Sequence, residues 1–291
     1  MGEIVGAGLI SHAPTIMFDE VTRRELNDGK EISLVPGLNR LREEILSALG
    51  VDTIVIIDSH WFTTVEHVIS AHEQRSGRFT SSELPRGMAG IEYDFPGDPE
   101  LGRLAATLGD ELGTPTHATD DPYLEVYYAT INLVHYLRTT ERIVSISVVQ
   151  TGETNDFLMM GEALGEAVSR LDRRVVVLAS GGMSHTFWPL SQIRKHEASD
   201  PVHIITPEAR AADEERLSWM RRGDHARIVD TMPQYFAHAP EGNFGHYLMM
   251  LGSIGGRDCV ATGELLSDYE NATGTGQVHV WFSRPDEGWA H

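Results

Sequence analysis

Four residues stand out for what their side chains can do together: His12, His60, His185 and Glu241. Each histidine follows a short apolar run, in Ser11-His12-Ala13-Pro14, Asp58-Ser59-His60-Trp61 and Ser180-Gly181-Gly182-Met183-Ser184-His185. In open α/β sheets the binding crevice lies beyond the carboxyl ends of the strands. If the strands are parallel, all three imidazoles project from the same edge. A single histidine after a strand is most often a polar turn residue. Three in the same relative place point to a site. Imidazole is a common ligand for iron and zinc, so two of the three could hold a metal. A carboxylate would complete the set. Glu241, in Pro240-Glu241-Gly242-Asn243, precedes a helical segment whose first turn would fix it. Its bland reading is a carboxylate favoured by the helix dipole. Two neutral histidines and one carboxylate leave open coordination positions, the arrangement of non-haem Fe(II) oxygenases. Such a set leaves Fe(II) at about +1, ready for an anionic chelate.

The elements that must position these residues alternate between strand and helix. Apolar β-branched runs predict strands at 4–10, 51–57, 65–71, 143–149, 174–179 and 278–282. Near-continuous runs such as 51–57 (VDTIVII) mark strands buried on both faces. Helical spacing predicts helices at 37–49, 101–112, 124–137, 157–171, 207–220, 224–232 and 244–254. Gly50 and Gly113 follow two of them as stop residues, and Gly223 joins two others. Residues 74–98, rich in Gly, Pro and Ser, read as a long loop. The alternation predicts an α/β fold, with a mostly parallel or mixed central sheet flanked by helices and the metal site at the strand carboxyl ends. No composition shift suggests a boundary, so residues 1–291 read as a single catalytic domain.

Composition narrows the function classes. There are 23 Lys+Arg against 43 Asp+Glu, a formal charge of −20. Nucleic acid is excluded as a partner, because phosphate backbones need clustered basic residues. An anionic membrane surface is disfavoured for the same reason. No apolar run reaches the roughly 18 residues of a membrane span. The beginning of the chain, MGEIVGAGLISHAP, has no basic leader region. Cys259 is the only cysteine, which rules out an intrachain disulfide and a cysteine-based zinc site. It reads as a small buried hydrophobe. Together these features suggest a cytoplasmic protein.

The motifs, taken in order, resemble those of the class III extradiol ring-cleavage dioxygenases, most of all the 3,4-dihydroxyphenylacetate (homoprotocatechuate) 2,3-dioxygenase branch. The matching stretches cover almost the whole chain. They are Ser11-His12-Ala13-Pro14, Val51-Asp52-Thr53-Ile54, Asp58-Ser59-His60-Trp61, Thr80-Ser81-Ser82-Glu83-Leu84-Pro85 and Val144-Ser145-Ile146-Ser147. They continue with 179–185, then Glu241-Gly242-Asn243, Met250-Leu251-Gly252 and Gly274-Thr275-Gly276-Gln277-Val278. The resemblance implies His12, His60 and Glu241 as Fe(II) ligands and His185 as an acid/base beside them. It implies O2 as co-substrate, a small aromatic substrate, meta cleavage to a muconic semialdehyde, and a homo-oligomer. Imidazole suits the acid/base role because it exchanges protons near neutral pH.

The stretch Tyr127-Tyr128-Ala129-Thr130 departs from the family pattern, in which an acidic residue precedes His or Tyr and then Gly. Tyr128 fits a Tyr-type member and becomes a candidate catalytic hydrogen-bond donor; a helix-face aromatic is the equal alternative. Trp61, His246 and His135 are candidate pocket residues. A substrate carboxylate would need a cationic partner, for which His135, Arg78, Arg86 and Arg194 are candidates. Other histidines, among them His67, His72, His203, His225 and His291, receive no role. Two rival readings stand beside the dioxygenase. One is a zinc-bound relative acting on another phenolic substrate. The other is a non-catalytic binding or signalling member of the same fold.

Overall fold

The β-branched runs become strands whose alternate side chains face opposite sides of one sheet. In the strand Arg174–Ser180, Val175, Val177 and Ala179 enter one hydrophobic core, and Val176 and Leu178 enter the other. This two-sided burial explains why the run is continuously apolar. The computed structural model describes residues 1–290, so His291 lies outside the described residues. Strands along the chain are β1 (Glu3–Ile10), β2 (Thr53–Thr63), β3 (His67–Ser70), β4 (Gln74–Phe79), β5 (Ile91–Pro96) and β6 (Thr116–Thr119). They continue with β7 (Arg142–Val149), β8 (Arg174–Ser180), β9 (Gly263–Leu265), β10 (Glu270–Ala272), β11 (Thr275–Gln277) and β12 (His279–Ser283).

Among the described residues, the main sheet has the order β6-β3-β7-β2-β8-β1-β12-β9. The pairs β7/β2, β2/β8 and β8/β1 are parallel, while β12 runs antiparallel to β1. The sheet is therefore mixed with a parallel centre. Helices Pro99–Leu112, Thr154–Arg170 and Gly245–Ser253 cover one face. Helices Leu34–Arg40 and Tyr128–Leu137 cover the other. Helix 245–253 lies very close to helix 154–170. A Cβ on Gly161 would fall 2.1 Å from the Met249 carbonyl, and one on Gly252 would fall 2.3 Å from the Leu158 carbonyl.

Three expectations change. The predicted loop 74–98 contains the hairpin β4/β5, with Phe95 and Met88 buried. The strand β4 (QRSGRF) is polar and largely exposed and carries no apolar pattern, whereas β5 alternates Ile91, Tyr93 and Phe95 with Glu92 and Asp94, a strand signal that the loop reading passed over. The segment 37–49 is helical from Leu34 but passes through a π-helical turn at Leu41–Leu46 before Gly50 ends it at φ 61°. The helix predicted from 124 begins only at Tyr128.

Several core histidines are fully used as neutral rings. His279 Nδ1 accepts from the Ser11 backbone N–H at 3.1 Å, and Nε2 donates to the Leu34 carbonyl at 3.0 Å. Burial lowers its pKa to about 4. Burial also lowers His225 and His67. The unfolded chain therefore binds more protons than the folded one once the pH drops below about 6.5. Stability is full above that pH and is lost as pH falls, at up to about 1.4 kcal/mol per pH unit for each such histidine. Urea midpoints measured between pH 7.5 and 5 should fall accordingly, and His279→Gln should reduce the slope by one proton. An unaltered slope would show that His279 does not contribute.

Candidate metal centre

β1, β2 and β8 are neighbours and parallel, so their carboxyl ends share one edge of the sheet. His12 follows β1 directly. Its backbone carbonyl accepts from Asn132 Nδ2 at 2.9 Å. The Ser180 hydroxyl, at the end of β8, donates to the Ala129 carbonyl at 3.1 Å. Its oxygen is therefore left to accept from His12 Nδ1–H at 3.0 Å. This fixes the tautomer and turns the Nε2 lone pair into the site.

His60 sits on an irregularity. The register of β2 against β7 jumps from Asp58/Ser147 to Phe62/Val148, leaving residues 59–61 outside the ladder. Such bulges re-aim side chains next to active sites. Asp58 Oδ1 accepts from the His60 and Trp61 N–H groups at 2.9 Å each. Its Oδ2 accepts from Thr130 N–H at 2.9 Å and the Thr130 hydroxyl at 2.7 Å. One buried carboxylate thus ties the His60 bulge to the first turn of helix 128–137. Burial pushes the Asp58 carboxyl upward against the bonds from Thr130 and Trp61 that hold it down. Asp58→Ala is expected to destabilise the fold by roughly 1–3 kcal/mol for each donor left buried without water and to weaken metal binding. Urea unfolding and metal titration check both effects. An unchanged metal affinity would remove Asp58 from the site's support.

Glu241 is held differently from the expectation. It does not sit in the first turn of an α-helix. It opens the turn Glu241–Phe244, in which Gly242, Asn243 and Phe244 have φ values of 52°, 55° and 59°. Three successive left-handed residues are unusual, and for Phe it is a strained conformation. Surrounding contacts hold it: Phe244 is fully buried, and Asn243 Nδ2 donates to the Gln150 carbonyl at 3.1 Å. The carboxylate accepts from the Ser59 hydroxyl and, at 2.6 Å, from Gly182 N–H. Backbone bonds from Glu241 to Met183 (2.9 Å) and from His185 to Ala239 (3.0 Å) lock the two site segments together.

The ligand-type atoms of His12, His60 and Glu241 lie within 4.8 Å of one another. Glu241 Oε1 is 3.3 Å from His12 Nε2 and 3.5 Å from His60 Nε2, and Oε2 is 3.6 Å from His185 Nε2. The first two separations suit adjacent ligands on one ion with bonds of roughly 2.1 Å. Burial works against charge on Glu241, but His185, His12 and His60 hold it well below the ordinary carboxylate range. Burial, then the His12 charge, lowers His60 to about 3, keeping it neutral. Burial also opposes charge on His12, yet Glu241 shifts it upward overall. A divalent cation replaces those protons readily at such a donor set. The nitrogen-and-oxygen set, the fixed His12 tautomer and the buried carboxylate all fit a divalent metal.

Tyr128 directs its hydroxyl to His60 Nε2 at 2.5 Å. Burial, reinforced by Glu241 and Glu83, pushes its phenol pKa upward, so it stays a donor. Asp213, buried in helix Pro207–Arg222, accepts from Ser184 N–H and its hydroxyl and from the Tyr235 and Tyr269 hydroxyls at 2.6–3.2 Å. It orients the turn that carries His185. The centre opens into a cavity of about 620 Å³. His12, His60, Tyr128, His185 and Glu241 line it, with Phe18, Leu84, Phe187 and Leu190 among its apolar walls.

The structure places three candidate pocket residues away from that cavity. Trp61 is 5 % exposed and stacks on Tyr127 at 5.7 Å, because the strand alternation turns it away from its neighbour His60. His246 is fully buried behind the site, with Nε2 3.1 Å from the Gly182 carbonyl and its ring against Gly181. Burial lowers it to about 4. His135 is exposed, two helical turns beyond Tyr128, roughly 10 Å along the axis. Arg78 lines a neighbouring groove and pairs with Glu92, whereas Arg86 and Arg194 line the main cavity. Cys259 is buried, and burial raises its thiol to about 11. Sequence reasoning missed Asp58, Ser59, Ser180 and Asp213. Only Asp58 carried a signal, since Asp two residues before a turn commonly accepts from its backbone.

Residues 6–283 match the family described as the catalytic LigB subunit of aromatic ring-opening dioxygenase. A 3,4-dihydroxyphenylacetate 2,3-dioxygenase of Escherichia coli is 29% identical over 260 residues, covering 88% of this chain and 91% of the relative. A 2-aminophenol 1,6-dioxygenase beta subunit of Pseudomonas sp is 25% identical over 259 residues, 84% of each. The crystal structure of an uncharacterized protein from Escherichia coli K12 superposes with a TM-score of 0.60 at 15% identity, covering 95% of this chain and 99% of that one, and shares the fold. Among the described residues no helix is long and apolar enough to cross a membrane. The chain belongs to the LigB family of aromatic ring-opening dioxygenases and is an extradiol ring-cleavage enzyme.

Proposed function

We propose that the protein uses Fe(II) and O2 for the meta cleavage of a catechol, 3,4-dihydroxyphenylacetate or a close relative, giving a muconic semialdehyde. The observation that carries this reading is the convergence of His12, His60 and Glu241, with His185 beside them, on one cavity. The name of the Escherichia coli relative supports the substrate class. His12, His60 and Glu241 would hold the ion. Bound Fe(II) supplies a cation that gathers the ring oxygens and O2 into one coordination shell.

The chain's own groups supply the rest. His185 Nε2 faces the site and takes the proton that a catechol hydroxyl gives up, then returns it as the ring opens. With His60 Nε2 given to the ion, the Tyr128 hydroxyl that lies 2.5 Å from it is released to donate a hydrogen bond to an oxygen of the bound molecule. The apolar walls beside it exclude water from the reacting face. Ser59 and Gly182 N–H keep the Glu241 carboxylate turned toward the imidazoles.

The test is anaerobic reconstitution with Fe(II), and with Zn(II) in parallel, followed by O2 uptake and yellow-product absorbance on a panel of catechols and 2-aminophenol. Turnover with Fe(II) alone is expected. Turnover with zinc would favour the zinc-bound rival, and none on any member of the panel would sink the reading. Cytoplasmic location and a homo-oligomeric state belong to the same proposal. The Pseudomonas relative is named as a subunit of an assembly, and sedimentation of the purified chain tests the assembly.

A further inference from the structure

We infer that His196 and His203 form a second metal site, for Zn(II) or a similar late first-row divalent cation, which clasps the segment that walls the cavity. His196 ends the short turn Ile193–His196, and His203 ends the turn Pro201–His203. Their Nδ1 atoms lie 3.2 Å apart, with the rings inclined at 71°. Among the described residues this is the one place where two imidazoles come within hydrogen-bonding distance of each other. Bonds of roughly 2.0–2.1 Å from both nitrogens to one ion would enclose an angle of roughly 100–106°. That is close to tetrahedral, and water fills the remaining positions. Imidazole nitrogen suits zinc, nickel and copper.

The tautomers are free to suit an ion. His225 spends both ring nitrogens on fixed partners, the Tyr247 hydroxyl and the Ala261 carbonyl, at 2.8 Å each. His196 and His203 have only each other, and neither Nε2 has a hydrogen-bond partner among the described residues. Each ring can therefore carry its proton on Nε2 and present the Nδ1 lone pair. Two neutral rings release no proton in the exchange: the shared Nδ1–H moves to Nε2 through water, and the ion takes its place. Desolvation, followed by the charges of His203 and Lys195, lowers the His196 pKa and keeps that ring neutral. Lys195 opposes a cation here, against a net charge of −20 that favours one.

The pair is held from outside. Asn271, 5% exposed, donates through Nδ2 to the carbonyls of His196 and Ala198 at 2.8 Å each. The Trp188 indole donates to the His203 carbonyl at 2.7 Å and stacks on the His196 ring at 3.7 Å between centroids. Such outer contacts orient ligands before an ion arrives. The site is separate from the His12/His60/Glu241 centre. The turn that carries His196 gives Ile193 and Arg194 to the cavity wall, but neither His196 nor His203 lines that cavity. An ion on both rings would join this wall to the turn at 201–203.

Equilibrium dialysis of the Fe(II)-loaded protein against Zn(II), without oxygen, tests this, with iron and zinc counted in the same sample. One zinc per chain is expected above full iron content. His196→Gln and His203→Gln should each weaken that zinc by about tenfold or more, with iron at the wild-type level. Zinc gained only as iron is lost, or zinc retained by both variants, overturns the inference. Trypsin supplies a second readout, because Arg194 and Lys195 are exposed. Zinc should slow cleavage after these two residues several-fold in the wild type and leave both variants unaffected. Equal rates with and without zinc in the wild type would overturn the clasp. Neither readout needs turnover, so the ring-cleavage reading stands or falls separately.

Discussion

Glu241→Ala should strip the metal from the centre and with it ring cleavage. The carboxylate is the element common to the cluster, 3.3 Å from His12 Nε2, 3.5 Å from His60 Nε2 and 3.6 Å from His185 Nε2. Without it the site offers neutral imidazoles to a divalent ion, and Ser59 and Gly182 N–H lose their acceptor. Loss of an outer partner of a ligand costs roughly 10–100-fold in metal affinity, and loss of the ligand itself should exceed that. Glu241→Gln is expected to behave similarly, because its amide NH2 would either oppose the Gly182 N–H or replace the oxygen that faces His12 Nε2 and His60 Nε2 with a group that cannot bind the ion. Metal content after reconstitution, together with circular dichroism to confirm folding, provides the measurement. A variant that keeps full metal content would show that Glu241 is not a ligand.

His185→Asn should do the opposite: retain the metal and lose turnover. The imidazole faces the outer oxygen of Glu241, beyond the 4.8 Å cluster of ligand atoms. General acid–base groups contribute about 10²–10⁴ in rate, so kcat should fall within that range. One limb of the pH profile of kcat/KM should disappear with it. Metal content near wild type distinguishes this role from ligation. If iron were lost along with activity, His185 would have to be a ligand. The contrast between the two variants is the sharpest check on the division of labour.

The placement of the three histidines was legible in the sequence. Apolar β-branched runs can only be strands buried between helices, and residues just past their ends must emerge at one edge once the strands are parallel. The Gly242-Asn243 pair also carried its signal, since both residue types tolerate the left-handed backbone that holds Glu241. Asp213 carried none. It lies in Ala212-Asp213-Glu214-Glu215-Arg216, which reads as a solvated helix face, yet it is fully buried beneath the His185 turn. The hairpin at 74–96 was half hidden: Ile91, Tyr93 and Phe95 alternate with Glu92 and Asp94, but its partner strand QRSGRF is polar and shows no alternation.

The sequence by itself determined an α/β sheet, a metal-type ligand set at its edge and an acidic chain without thiol chemistry. Tertiary structure alone decided which atoms meet. The Ser180 hydroxyl sets the His12 tautomer from 168 residues away, and Ser59 reaches Glu241 across 182. It turned Trp61, His135 and His246 out of the cavity and left Arg86 and Arg194 facing into it. Periodicity reports which face of an element is buried. It does not report what lies opposite, because hydrogen bonds and ion pairs depend on positions of a few ångströms that only the packed sheet and its helices establish.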